Sequence, residues 1–467
     1  MSVVIGVDSS TQSCKVLAVD ADSGDVVASG AASHPDLTAV DPHVWTSALK
    51  EAWHSAGADR LGSSVAGAGI AAQQHGMVAL DSSGTPVHDA LLWNDTRSAP
   101  DAARLRDELG PEAWVDAVNL VPVASFTISK LAWLARNEPD AAGRVDQVVL
   151  PHDWLNGAMA GEFTTDRSDA SGTGYFSPVT DSYRPDLLER FFGRAPRLPR
   201  VVASGEAAGT VQSGWGIDGA VLAAGAGDNA AAALGLGLRP GEVVVSIGTS
   251  GTVFTASPSA MPDVSGEVAG FADAAGGHLP LLAMLNSARV MAATASMLGV
   301  DLATLDSLAL AAGNDAGGLT FLPYLDGERS PNLPHASGSL VGLSRSNMSP
   351  ENLARASVLG VLNSLADAID VLRQLGGTPD KVLLIGGGSK SHALRQAAAS
   401  VFNLPVEVPA SREYVALGAA KQAAWAATGD LPEWKRSIEA AYEPDGDWGF
   451  SVRERYAEAR RNIYGVG

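Results

Sequence analysis

Gly241-Glu-Val-Val-Val-Ser-Ile-Gly-Thr-Ser-Gly-Thr-Val-Phe-Thr-Ala256 reads as two short apolar strands joined by a turn of small hydroxyl and glycine residues. The β-branched runs predict the strands, and Gly248 to Gly251 predict the reversal between them. The beginning of the chain repeats the plan. Val3 to Val7 is an apolar strand, Asp8-Ser-Ser-Thr-Gln-Ser13 a small polar turn, and Lys15 to Val19 the returning strand. A second turn, Asp20 to Gly24, leads into Val26 to Ala28, so the first half opens as an antiparallel meander. Two such hairpins, one opening each half, predict a chain built by duplicating one architectural unit. The linker Leu236-Gly-Leu-Arg-Pro-Gly241 is the expected boundary, giving domains 1–240 and 241–467. Turns of this kind present backbone amides and hydroxyls to phosphate. Two of them facing one cleft would clamp a polyphosphate from both sides.

Just before the linker lies Val221-Leu-Ala-Ala-Gly-Ala-Gly-Asp-Asn-Ala230. Its apolar start predicts a buried strand, Gly225 and Gly227 a sharp turn, and Ala230 to Leu234 a helix. Asp228 therefore falls at a strand-to-helix corner, where α/β proteins bind ligands and where a carboxylate acts as general base toward a hydroxyl. The plainer expectation is that Asp228 only caps the helix.

Between these landmarks, Val65 to Ala71 predicts a strand ending in Gln73-Gln-His-Gly-Met77, which offers Gln74 and His75 to a polyol. Val78 to Leu80 with Asp81 to Gly84 predicts a hairpin. Leu91-Leu-Trp-Asn-Asp-Thr-Arg97 gathers an aromatic face, an amide, a carboxylate and a guanidinium, a mixture suited to a sugar. Pro100 to Glu138 is mostly helical in pattern, broken near Pro122. Thr165 to Thr173 predicts a polar loop on the rim of a binding cleft, and Thr180 to Pro199 a surface excursion. In the second half, Ser349-Pro350-Glu351 starts a long core helix that Gly376-Gly377 end. Lys381 to Ile385 predicts a strand, followed by Gly386-Gly-Gly-Ser389, a glycine turn that lets a ligand approach bare backbone. Val415 to Trp425 is a small-residue helix able to pack closely, and a terminal helix is expected over Ser451 to Ile463.

At 467 residues the chain predicts two domains or more, and 46% hydrophobic with 18% charged residues is globular composition. A formal net charge of −20 excludes a broad basic surface for nucleic acid. Cys14 is the one cysteine, so an intramolecular disulfide and a cysteine-rich zinc site are both excluded, and a reduced, cytoplasmic setting is expected. The weakly polar tract Gly219 to Leu238 holds Asp228 and Asn229, which argues against a membrane span. There is no Gly-x-x-x-x-Gly-Lys-Ser/Thr, no dinucleotide fingerprint opening the first helix, no His-Glu-x-x-His, and no Gly-x-Ser-x-Gly elbow with a convincing triad.

These motifs, in order and spacing, resemble the FGGY carbohydrate kinases, most closely the branch that phosphorylates xylulose. The resemblance rests on Gly6-Val-Asp8 with Ser10-Thr11 and Lys15, Gln74-His-Gly76, Leu92-Trp-Asn-Asp95 with Arg97, and Gly227-Asp-Asn229. It extends to Ser246-Ile-Gly-Thr-Ser-Gly251, Gly327-Glu-Arg329 and Gly386-Gly-Gly388. It implies an α/β fold of two actin-like, ribonuclease-H-like domains, with mixed sheets, around a central cleft. By that resemblance Asp228 is the catalytic base, and Asp8 holds or orients Mg²⁺ as the metal residue. Thr11 and Ser13 face phosphates from the first half, Gly248 and Thr249 from the second, and Gly387 and Gly388 lie against the adenosine. Gln74, His75 and Asn229 bind sugar hydroxyls, with Trp93 on an apolar sugar face. The implied partners are a small-molecule sugar and ATP, with no nucleic acid and no membrane, and a homodimer as the assembly to test. Two residues depart from the pattern: many relatives carry Met at position 74, where Gln adds an amide to the presumed pocket, and Gly at position 10, where Ser is still small. The alternatives are a sibling kinase for ribulose, gluconate or glycerol, and an actin-like ATPase module that transfers nothing to sugar.

Overall fold

Val3–Ser9 is buried along its whole length, as a continuous apolar strand must be at the centre of a sheet. It pairs antiparallel with Ser13–Asp20 and parallel with Val65–Ala72. The sheet runs Ala207–Thr210, Val221–Ala223, Val65–Ala72, Val3–Ser9, Ser13–Asp20, Val26–Ser33, and the two-residue strand Ala226–Gly227 also pairs with Val65–Ala72. In this computed structural model, residues 2–466 are described.

The second hairpin builds the same pattern. Glu242–Ile247 pairs antiparallel with Gly251–Thr255 and parallel with Lys381–Ile385. Val406–Pro409 and Ile438–Tyr442 extend that side, and Leu281 to Met284 pair with Gly251–Thr255 on the other. Each sheet is thus mixed, with a hairpin's first strand central and a parallel partner beside it. The duplication expected from the two hairpins is visible in the topology.

The chain forms two compact units that interleave in sequence. One comprises the residues up to Leu238 with Ser257–Leu279 and Arg412–Lys435; the other comprises Arg239–Ala256, Pro280–Ser411 and the residues from Arg436 on. The helix Tyr414–Thr428 belongs to the first unit and lies on the face of its sheet. A Cβ at Gly6 would overlap the Ala416 carbonyl, and one at Gly69 the Ala419 carbonyl. Gly418 meets the Ala231 backbone in the same way, so this helix also packs closely on Asp228–Leu236. Small residues at these positions bring backbones to near contact, the use expected for the run Val415 to Trp425.

In the second unit the long helix is Pro350–Gln374, with the Ser349 hydroxyl accepting from Asn352 N as its N-cap. Ser391 caps His392–Phe402 likewise, accepting from Leu394 N. Among the described residues no single helix is long and apolar enough to cross a membrane.

Several local expectations need correction. Residues 165–173 are not a rim loop. They form the end of the strand Thr164–Asp166, the short helix Arg167–Ala170 and a buried turn. Asp166, Ser168, Ser171 and Thr173 bond buried backbone there, although their types read as surface in the sequence. Within 180–199 lies the helix Pro185–Phe192, whose Leu187, Leu188, Phe191 and Phe192 are buried, with Phe191 stacked on Trp114. The expected reversal after Val78–Leu80 is present, with Asp81 N donating to the Thr85 carbonyl, Val87 N to the Ala79 carbonyl and Leu80 bridged antiparallel to Pro86, and Gln147–Val149 adds a strand partner that the local pattern did not announce. The C-terminal helix is Trp448–Tyr464, preceded by the strand Ile438–Tyr442, which the polar sequence did not announce.

Candidate active site

Asp228 opens the helix Asp228–Leu236, directly after the strand Ala226–Gly227. The N-cap is Gly227, so Asp228 is not the capping residue that the plainer expectation made it. Its Oδ1 accepts from Asn229 N at 2.8 Å and from Asn229 Nδ2 at 3.0 Å, which fixes the carboxylate beside the amide. Burial, then the like charge of Asp8, push its pKa up to about 7, against the Asn229 hydrogen bonds. A carboxyl tuned there is matched to removing a proton near neutral pH.

Asp8 is the penultimate residue of the central strand and is buried. Ser10 Oγ donates to its Oδ1. Burial pushes Asp8 up to about 6, although the Ser10 hydrogen bond and the Lys15 ammonium favour its ionised form. Lys15 lies opposite Asp8 across the hairpin and pairs with Glu413 at 2.6 Å. Asp8 and Asp228 thus form a pair of oxygen donors whose charges oppose each other. That donor chemistry suits a hard divalent cation such as Mg²⁺.

Gln74 and His75 follow the parallel strand Val65–Ala72. Gln74 is buried beneath the Asp228 corner: a Cβ at Gly227 would lie 2.6 Å from Gln74 Cδ. Gln74 Nε2 donates to the Ser168 carbonyl at 3.2 Å, and Gly227 N donates to Ser168 Oγ at 3.1 Å. His75 sits at φ +70°, with Nδ1 donating to the Gly172 carbonyl at 2.9 Å and its ring against Phe126 and Phe271. Lys130 Nζ donates to the His75 carbonyl at 2.7 Å and to the Ser125 carbonyl at 2.6 Å. Burial lowers that lysine to about 7, the nearby charge of Asp95 opposing.

Trp93 is 39% exposed, and its Nε1 donates to Thr11 Oγ1 at 2.8 Å. The aromatic from the Leu-Trp-Asn-Asp motif is therefore tied to the turn of the first hairpin, and Thr11 keeps its own hydroxyl proton to donate elsewhere. Ser13 begins the returning strand of that hairpin. Asp95 is buried and accepts from Arg97 Nε at 2.8 Å, Arg97 Nη2 at 2.9 Å and Thr38 Oγ1 at 2.9 Å. Burial raises Asp95, but the Arg97 and Thr38 hydrogen bonds outweigh it and hold the carboxyl low. This pair braces the loop that carries Trp93.

In the second unit, Thr249 is exposed at the tip of the hairpin, where its carbonyl accepts from Arg289 Nε at 3.3 Å. Gly248 N donates to the Ser250 carbonyl at 3.0 Å, and the Gly248 carbonyl accepts from Ala288 N at 3.0 Å. Gly386, at φ +89°, lets the glycine turn pass against Ile247, the residue before Gly248. The hairpin turn and the glycine turn thus meet at one end of one sheet. A Cβ at Gly388 would overlap the Ile247 side chain, whereas the space beside exposed Gly387 is open.

Four polar residues absent from the sequence-derived set stand under the Asp228 corner. Ser168 bonds both Gln74 and Gly227. Asp169 is fully buried with neither carboxyl oxygen bonded, and His152 and Asp153 lie close by. The signal available was Asp166-Arg-Ser-Asp169: carboxylates and a hydroxyl spaced to cap and line one short helical turn.

Profiles of known families match most of the chain. That of the FGGY family of carbohydrate kinases, N-terminal domain, matches residues 3–235, and that of the C-terminal domain matches 243–427. The chain belongs to the FGGY family of carbohydrate kinases. Among similar FGGY proteins, the xylulose kinase of Streptomyces coelicolor is 48% identical over 437 residues, covering 92% of this chain and 89% of the relative. That of Streptomyces rubiginosus is 45% identical over 439 residues, with the same coverage of 92% and 89%. The crystal structure of xylulose kinase from Bifidobacterium adolescentis shares 41% identity and a TM-score of 0.91, covering 98% of this chain and 99% of that one. A kinase of this family uses ATP and a sugar as its substrates.

Proposed function

We propose that this FGGY kinase transfers the γ-phosphoryl group of ATP to the terminal hydroxyl of D-xylulose, forming D-xylulose 5-phosphate and ADP. The observation that carries the reading is the Asp228 corner. A carboxyl with a pKa near 7 stands beside Asn229 and above Gln74, in a chain 48% identical to a xylulose kinase.

Asp228 accepts the proton of the sugar hydroxyl as that oxygen forms its bond to the γ-phosphorus. The bond from phosphorus to the bridging oxygen of ADP breaks, and the electron pair leaves with ADP. Little covalent chemistry is asked of the protein, so alignment and charge neutralisation dominate. Asn229 orients both Asp228 and a sugar hydroxyl. Gln74 and His75 bind further hydroxyls, and the exposed Trp93 face covers carbon. Thr11 and Ser13 donate to phosphate oxygens; Gly248 and Thr249 do so through backbone amide and hydroxyl. Gly387 leaves room for adenosine. Asp8 would hold Mg²⁺, which neutralises phosphate charge when bound. The cytoplasm is the proposed location.

The test is a coupled assay of ADP release against D-xylulose, D-ribulose, D-gluconate and glycerol. D-xylulose is expected to give the highest kcat/KM. A preference for another member of the panel would reassign the substrate, and hydrolysis indifferent to every sugar would favour the ATPase module.

A further inference from the structure

We infer that the second unit carries a binding site for a phosphate monoester of a small polyhydroxy compound, in the cavity lined by Arg355 and Trp448, with the phosphate on the guanidinium and the indole N–H. The site is built wholly from that unit and is independent of the reading of Asp228 as the base.

The helices Leu302–Ala311, Pro350–Gln374 and His392–Phe402 line a cavity of about 280 Å³, together with the segment joining the strand Ile438–Tyr442 to the helix Trp448–Tyr464. Two contacts fix its walls. A Cβ at Gly449 would overlap the Ser400 carbonyl, so the first turn of Trp448–Tyr464 lies directly on His392–Phe402. Asp445 N donates to Ser400 Oγ at 2.9 Å, which pins the connecting segment to the same helix.

Arg355 is 5% exposed, and a buried guanidinium ordinarily has a carboxylate beside it. Arg395, also buried in this unit, has Glu439 at 2.8 Å. Arg355 forms no ion pair among the described residues. Its Nε and Nη1 reach the carbonyls of Asn314 and Ala393, each at the long distance of 3.4 Å, and Nη2 has no acceptor among the described residues. Burial depresses its pKa, with no acidic group opposing. The Trp448 ring holds the guanidinium, whose Cζ lies 5.4 Å from the ring centroid. Trp448 Nε1 is itself buried without a partner. Two donors therefore line one cavity, the first short of a counter-charge and the second of any acceptor. Beside them the helix Trp448–Tyr464 begins without a side-chain cap, which leaves first-turn amides to an anion as well.

The rest of the lining sets the ligand class. A guanidinium fork, an indole N–H and a helix start suit the several terminal oxygens of a phosphate. Inorganic phosphate fills only part of a cavity this size. Asn314, Gln396 and Glu443 also line it, and each can accept from hydroxyls. Glu443 and Asp445 are exposed at its rim, where they repel a second anionic group. One phosphate on a hydroxylated body meets both demands, whereas a bisphosphate or a tricarboxylate does not. On a chain of net charge −20, an anion gathers only where donors are built to hold it.

The experiment is isothermal titration of the full-length protein with ribose 5-phosphate, glycerol 3-phosphate, inorganic phosphate and citrate, repeated on R355M and W448F with thermal melts alongside. Wild type is expected to bind a phosphate monoester with one-to-one stoichiometry, more tightly than inorganic phosphate, with little heat from citrate. R355M keeps the side-chain length and removes the charge, and should lose at least about tenfold in affinity. W448F keeps the stacked ring and removes only the N–H, and should lose affinity by about tenfold at most. The ester should raise the melting temperature of wild type and leave that of R355M unmoved. An ester held at the sugar site instead would bind wild type, R355M and W448F alike, and that result would overturn the proposal. So would the absence of ester binding to wild type at millimolar concentration, or a preference for citrate. Should R355M not fold, undiminished ester affinity in W448F would overturn it just as well.

Discussion

At Asp228 a single carboxyl must be ionised to accept a proton yet basic enough to want one. Burial and the charge of Asp8 bring its pKa to about 7. The ionised fraction falls with pH below that value, so kcat/KM for sugar should rise tenfold per pH unit up to about 7 and then level. A flat profile between pH 5 and 7 would remove Asp228 from the base role. Asp228→Asn keeps the shape and loses the basicity, and a drop in kcat of about 10²- to 10⁴-fold is expected with ATP binding retained. Glycines here separate packing from ligand space. A Cβ at Gly388 would overlap Ile247, whereas one at Gly387 meets nothing within 4 Å. Gly387→Val should therefore leave the unfolding midpoint nearly unchanged, within about 0.5 kcal/mol, while raising KM for ATP. An unaltered KM would mean that adenosine lies elsewhere.

The elements most legible in the sequence were those where one pattern had one physical solution. Val3–Ser9 with Ser13–Asp20, and Glu242–Ile247 with Gly251–Thr255, are apolar runs that reverse at short polar turns as hairpins must. Ser349 and Ser391 cap the helices they appeared to cap. Residues 165–173 were misread because Asp166 and Ser168 look like surface residues, yet they satisfy buried backbone, and Ser168 holds Gln74 and Gly227. Leu187, Leu188, Phe191 and Phe192 did carry a readable helical face; the flanking prolines and arginines obscured it. For the small-residue helix the pattern announced close packing but not its target, because a glycine stripe fits any backbone. The packing itself gives a prediction. Gly6 and Gly69 approach the carbonyls of Ala416 and Ala419 so closely that one added methyl must push the helix Tyr414–Thr428 off the sheet. Gly69→Ala should cost about 1–3 kcal/mol in urea unfolding, and a neutral result would mean that the helix shifts freely.

Across the whole molecule, burial has raised the proton affinity of several carboxyls in both units: Asp8 to about 6, Asp228 to about 7, and Asp166, Asp169, Glu328 and Asp367 upward. Each binds its proton more tightly folded than unfolded. Between the ordinary carboxylate range and these raised values, the folded protein therefore holds more protons than the unfolded chain, and stability falls as pH rises. For Asp8 alone, a shift from 3.8 to about 6 corresponds to about 3 kcal/mol over that window. His34 and His278, lowered by burial, act in the opposite sense up to about pH 6.5, and Lys130, lowered to about 7, does so from about that pH upward, but they are three groups against six. Carboxyls held low, such as Asp95, lose their contribution only below the ordinary range and do not enter this window. A net charge of −20 adds self-repulsion in the same direction as the raised carboxyls. Unfolding free energy from urea titrations should accordingly be higher at pH 5.5 than at pH 7.5. Mg²⁺ should recover part of the difference at the higher pH, because a cation at Asp8 replaces the missing protons. Stability that instead climbs from pH 5.5 to 7.5 without Mg²⁺ would mean that these carboxyls are solvated in the folded protein, and with them the base at the corner.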